Sequence, residues 1–102
     1  MLNFLKKLFG GKSVDYKELI ANGAQIIDVR TQGEFKSGHI KNSKNIPLQQ
    51  LQSQIKKLDK NKPVITCCAS GMRSASARGI LQNHGFEVYN GGGWSSLQNK
   101  IS

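Results

Sequence analysis

The residues with the clearest capacity for chemistry are Cys68-Ala69-Ser70-Gly71-Met72-Arg73-Ser74. A cysteine closes an apolar run, PVITCC at 63–68. A Gly-containing turn follows at once, and an Ala-rich helical stretch begins at Arg73. A strand end, a tight loop and a helix start bring unpaired N–H groups and the positive end of a helix dipole to the place where the thiol sits. A free cysteine ionises near a pKa of about 8.5, and such surroundings, with Arg73 close by, favour the anion. The expected chemistry is nucleophilic attack by a Cys68 thiolate held at the floor of a bowl of main-chain donors, residues 69–74.

Other reactive side chains have structural readings that come first. Strand alternation points Cys67 away from Cys68, so a buried core thiol is expected there, with a strained vicinal disulfide to Cys68 as the alternative. Arg30 at a strand exit could hold anions at the mouth, although pairing with Asp28 or Glu34 is the more usual fate of such a residue. His39, in a Gly-flanked loop, is expected to bond backbone, and His84 suits a helix carboxyl end. Trp94 reads as a core anchor before it reads as a wall of the site. His39 and His84 are far apart and the two cysteines are adjacent, so no metal is assigned and no cofactor is expected.

Elements of alternating type position this loop. Asp15 and Glu18 have the spacing of a helix-opening box, Leu19 and Ile20 face inward, and Gly23 ends the helix. Residues 24–29 form a short strand, with Asp28 and Arg30 at its exit. Residues 31–43 are polar and Gly-punctuated, and Asn45, Ile46 and Pro47 lead into an amphipathic helix with Leu48, Leu51, Ile55 and Leu58 on one side. Strand 63–68 and helix 73–84 follow, with Ile80 and Leu81 on the buried side and Gly85 as cap. Strand 86–89, a flexible turn at Gly91, Gly92 and Gly93, and a helix over 94–101 complete the chain. This order predicts an α/β fold with a mostly parallel central sheet flanked by helices on both faces, because parallel neighbours need crossovers and crossovers are usually helical.

The chain of 102 residues allows one domain. With 15 Lys and Arg against 6 Asp and Glu, its formal net charge is +9, which favours an anionic substrate or surface. The lysines from Lys36 to Lys62 are not interleaved with stacking aromatics, so they read as solvated surface and no nucleic-acid partner is expected. Two adjacent cysteines make a poor disulfide framework, which points to a reducing compartment and a cytoplasmic location. Residues 1–12 form a basic amphipathic segment before a domain spanning 13–102. The apolar run there is broken by Lys6 and Lys7 and is too short for export or membrane insertion. It reads as a docked cap or frayed tail, with contact to a membrane surface as the alternative, and a monomer is expected.

Several of these pieces together resemble the single-domain rhodaneses, many of which carry Cys-x-x-Gly-x-Arg-Ser in the active-site loop. Also similar, and in the family's order, are Asp28-Val29-Arg30, Glu34-Phe35, Gly38-His39-Ile40, Asn45-Ile46-Pro47, and Gly91-Gly92 before Trp94. The resemblance covers roughly residues 14 to 98 and implies a rhodanese-like fold and a sulfurtransferase. It implies that Cys68 takes the outer sulfur of a donor such as thiosulfate, becomes a persulfide, and yields that sulfur to cyanide or a thiol. Ala69, Ser70, Gly71, Met72, Arg73 and Ser74, with Arg30, would bind the substrate.

Many relatives place an arginine directly after the nucleophile. Here Ala69 stands instead, which weakens the positive field and makes a protein persulfide an alternative donor to thiosulfate. Four residues separate Cys68 from Arg73, against five in the Cys-x5-Arg loop of the dual-specificity phosphatase fold, and the tighter ring suits one sulfur atom better than a tetrahedral oxyanion. A different class of function on the same fold is a persulfide carrier or protein-docking module without turnover.

Overall fold

The structure, a computed structural model, describes residues 14–102. The expected amphipathic segment at 1–12, with its membrane alternative, lies outside the described residues. Five helices, α1 (Tyr16–Ala21), α2 (Gln32–Ser37), α3 (Leu51–Gln54), α4 (Met72–Asn83) and α5 (Trp94–Ile101), alternate with strands β1 (Gln25–Asp28), β2 (Lys44–Asn45), β3 (Val64–Cys68) and β4 (Val88–Gly93). The strands form one parallel sheet in the order β2-β1-β3-β4. The expected α/β architecture is therefore present, and β3, which ends in Cys68, is a central strand.

Side-chain alternation on the inner strands builds a core on each face. Ile27, Val64 and Cys68 join Leu51, Ala77 and Leu81 of α3 and α4 on one face. Ile26, Ile65 and Cys67 join Leu97 of α5 on the other, where Leu19 and Ile20 of α1 also pack. All five residues of β3 are buried, as a strand covered by helices on both faces requires.

Five local features differ from the sequence reading. Residues 31–43 contain α2, opened by a reciprocal capping box in which Thr31 Oγ1 accepts from Glu34 N–H and the Glu34 carboxylate accepts from Thr31 N–H. Glycines and polar residues hid this six-residue helix, although the Thr31-x-x-Glu34 spacing was its signal. At α1 only half of such a box forms, with Asp15 accepting from Glu18 N–H at 3.0 Å. Asn45, in the expected lead into a helix, forms the edge strand β2 together with Lys44.

The amphipathic stretch 48–58 is not one helix. It winds as 3-10 turns over Leu48–Gln50 and Ile55–Lys57 around the short α3. Leu48 to Leu51 and Ile55 to Leu58 are steps of three, which suit a 3-10 turn, whereas Leu51 to Ile55 is a step of four. The winding thus follows the apolar spacing and keeps Leu51, Ile55 and Leu58 in the core.

The three glycines expected as a turn belong to β4. Its pairing with β3 gains a residue there, since Thr66 sits opposite Asn90 but Cys68 opposite Gly93. A Cβ at Gly91 would stand 2.8 Å from the Thr66 carbonyl oxygen and 2.9 Å from Leu97 Cδ2, and Gly92 has φ +80°. The bulge needs glycine at both places, one for lack of space and one for its backbone conformation.

Candidate active site

Strand β3 delivers Cys68 to the carboxyl edge of the sheet, and α4 begins four residues later. Gly71, at φ +106° and ψ −12°, caps α4 and turns its amide back toward the strand end. Its N–H donates to Cys68 Sγ at 2.9 Å, and the Ser74 N–H, in the first turn of α4, donates to the same sulfur at 3.3 Å. The thiol in turn reaches Ser74 Oγ at 3.4 Å. Burial opposes ionisation, but the bonds that a Cys68 thiolate accepts from the Ser74 side chain, once its hydroxyl turns to the sulfur, and from the amides of Ser74, Gly71 and Ser70 outweigh it and hold the thiol below its ordinary pKa.

Two donors of the expected bowl, the amides of Gly71 and Ser74, thus meet the sulfur, which is itself enclosed. Cys68 is 0% exposed, whereas Ala69, Ser70 and Met72 in the loop above it are exposed. Met72, at 79% exposure, projects from the start of α4.

Arg30 corrects the expectation that it helps to hold substrate. Its guanidinium is buried, with Nε donating to both Asp28 carboxylate oxygens at 3.0 and 3.1 Å and Nη2 to Asp28 Oδ2 at 2.7 Å. The remaining bonds run to the backbone carbonyls of Glu34 and Gly38. Trp94 lies against the guanidinium, 4.8 Å from ring centre to Cζ. Asp28, two backbone carbonyls and the Trp94 ring engage this buried cation, so Arg30 ties β1 to α2 and α5. Asp28 is architectural, as expected.

Arg73 is committed as well. It forms a two-pronged ion pair with Glu34 of α2, Nη1 to Oε1 at 2.8 Å and Nη2 to Oε2 at 3.0 Å. The Arg73 bonds, and behind them the Thr31 amide, hold the Glu34 carboxyl down to about 2. The loop cation therefore reaches the site with an acid attached, a partnership across two elements that the sequence reading did not contain.

Cys67 occupies the opposite face of β3, fully buried, and burial beside Asp28 pushes its thiol up to about 12. Both cysteines are free. A neutral, enclosed thiol on the far side of the strand is a core residue and a poor resolving partner for Cys68. His39 stacks on Phe35, with its Nδ1 2.7 Å from the Phe35 carbonyl oxygen, and the His84 ring bonds the Ile80 carbonyl. Among the described residues no group of three or more His, Cys, Asp or Glu side chains is placed to share a metal ion.

A family model described as rhodanese-like domain matches residues 13–100. The chain belongs to the rhodanese-like family. It is 41% identical over 80 residues to the protein YqhL of Bacillus subtilis, across 76% of this chain and 64% of that one. It is 38% identical over 74 residues to a thiosulfate sulfurtransferase, GlpE, of Ectopseudomonas mendocina, across 72% of this chain and 68% of that one. A rhodanese with anions from E. coli superposes with a TM-score of 0.68 at 32% identity, covering 72% of this chain and 91% of its own. This chain thus spans about two thirds of the length of the curated relatives it matches.

The site also contains a residue that the sequence reading passed over. Asn90 of β4 sits beside the loop, its Oδ1 2.6 Å from Ser74 Oγ. Before folding it is an ordinary polar residue ahead of a glycine run, and no local pattern connects it to residue 74.

Proposed function

We propose that this rhodanese-like protein is a sulfurtransferase working through a persulfide on Cys68. In the first half-reaction the thiolate attacks the outer sulfur of a donor such as thiosulfate. A bond forms between the two sulfurs, the donor's own S–S bond breaks, and sulfite departs with the electron pair. In the second, cyanide or a thiolate attacks the terminal sulfur of the persulfide, and the electron pair of the breaking bond returns to Cys68 Sγ. The amides of residues 69–74 serve as the cradle for charge in both steps. The observation that carries this reading is a strand-end sulfur accepting N–H bonds from Gly71 and Ser74 at 2.9 and 3.3 Å.

The neutral pairing of Arg73 with Glu34 and the alanine at 69 favour a donor that brings its own binding surface, a protein persulfide, over free thiosulfate. Because Cys68 is enclosed, either donor gains access only when the loop parts by local opening. The proposed setting is the reducing cytoplasm, with the protein acting as a monomer and without nucleic acid. No helix among the described residues is long and apolar enough to cross a membrane.

The second reading, a persulfide carrier without turnover, is favoured by the same enclosure of the sulfur. Intact mass spectrometry after mixing with thiosulfate tests both. The expected result is a gain of one sulfur atom that cyanide removes, absent in Cys68→Ser and retained in Cys67→Ser. A stable adduct without catalytic turnover supports the carrier, and no adduct from thiosulfate or from a protein persulfide overturns both.

A further inference from the structure

The Ser74 hydroxyl has one proton and three neighbours able to take it. Its Oγ lies 2.6 Å from Asn90 Oδ1, 3.0 Å from the Gly71 carbonyl oxygen and 3.4 Å from Cys68 Sγ. The amide of Asn90 cannot be turned over to change this, because Gly92 N–H donates to Oδ1 at 2.9 Å and would oppose another donor. Nor can Asn90 drift: it pairs with Thr66 in the sheet, and its carbonyl accepts from Tyr16 Oη at 3.2 Å. A contact of 2.6 Å between two oxygens requires the proton to lie between them. Ser74 therefore points its proton at Asn90 and its lone pair at the sulfur.

That arrangement suits a protonated or covalently substituted Cys68 and opposes an anion. We propose that Asn90 is a positioning residue that holds the Ser74 hydroxyl in reserve and releases it to Cys68 Sγ whenever that sulfur becomes a thiolate. Resting on the persulfide chemistry proposed above, the device assists the second half-reaction. As an acceptor thiolate attacks the outer sulfur, the electron pair moves onto Cys68 Sγ. The Ser74 O–H rotates from Asn90 Oδ1 to meet it, and no proton changes owner. When Cys68 is resulfurated its Sγ is again neutral, and the hydroxyl returns to Asn90.

The other charged and titratable groups around the thiol are engaged with partners of their own. Arg73 is held by Glu34 on the loop side, and Cys67 is backed by the Asp28–Arg30 pair on the strand side. The ionisable side chain of β4, Tyr89, is bonded to Glu87.

The test is the pH profile of Cys68 alkylation by iodoacetamide, read by intact mass. Without the competing acceptor, Asn90→Ala frees the hydroxyl for the thiolate and lowers the midpoint by about half a unit to one unit, the effect of one ordinary hydrogen bond. Asn90→Asp keeps both acceptor contacts of residue 90, grips the proton harder and raises the midpoint, which guards against a loss of fold in the alanine variant. In a Ser74→Ala background the alanine substitution at 90 moves nothing. A midpoint that stays or rises in a folded Asn90→Ala protein, or a shift that persists undiminished without the Ser74 hydroxyl, overturns the proposal. Neither result depends on whether thiosulfate loads Cys68, so the proposed function and this role of Asn90 fail separately.

Discussion

Replacing Gly71 by alanine tests the amide cradle through the backbone of its nearest donor. Space is not the obstacle, because a Cβ at Gly71 would first meet Gly92 Cα, at an ordinary 3.6 Å. The obstacle is the backbone at φ +106°, where an L side chain is strained by about 1–3 kcal/mol. The loop relieves that strain by rotating the 71 peptide, which withdraws the N–H now 2.9 Å from Cys68 Sγ. A hydrogen bond to a charged group contributes about 1.5–3 kcal/mol, and each pKa unit corresponds to about 1.4 kcal/mol, so the thiol pKa should rise by about one to two units.

The measurement is again the midpoint of alkylation against pH, paired with thermal unfolding across the same range. The fold favours the Cys68 thiolate, so this group adds stability above the pKa it has in the unfolded chain. That increment is lost as pH falls through the lower folded value. Gly71→Ala shrinks this increment, and its deficit in Tm should be widest in alkali and narrow toward acid, leaving the strain alone. A folded Gly71→Ala protein whose alkylation midpoint coincides with that of the wild type would refute the claim that main-chain donors make this sulfur nucleophilic.

Two further variants test other contacts of the fold. Glu34→Gln removes the acid from the mouth and frees Arg73, so kcat/KM for thiosulfate should rise by roughly a few-fold at low ionic strength and return toward parity as salt screens the charge. The same variant should lose the acid limb of stability that the wild type shows as pH falls from about 4 toward the depressed Glu34 value of about 2. Gly91→Ala should lower stability by about 1–3 kcal/mol in urea titration, because its Cβ would press on the Thr66 carbonyl oxygen, Leu97 and Ile65 at 2.8 to 3.0 Å in a closed core. Full stability in that variant would show that the bulge is not close-packed.

The sequence by itself determined the alternation of helices and strands apart from α2 and β2, the parallel sheet that alternation implies, and the position of one thiol at a strand end before a helix. These are local matters, set by apolar spacing, turn residues and the few residues between Cys68 and Ser74. The two faces of β3 were legible in the same way, since alternation alone separates Cys67 from Cys68.

What only the tertiary structure decided is who shares each charge and each proton. Arg30 and Arg73 look alike as cations near the site, but one is enclosed by Asp28 and Trp94 and the other is paired with Glu34, 39 residues away in sequence. Asn90 meets Ser74 only because the pairing of β4 with β3 sets it opposite Thr66, whose Oγ1 donates to the Ser74 carbonyl. Pairings of this kind depend on how separate elements pack together, and a pattern read along one chain contains spacing but not the distances that packing creates.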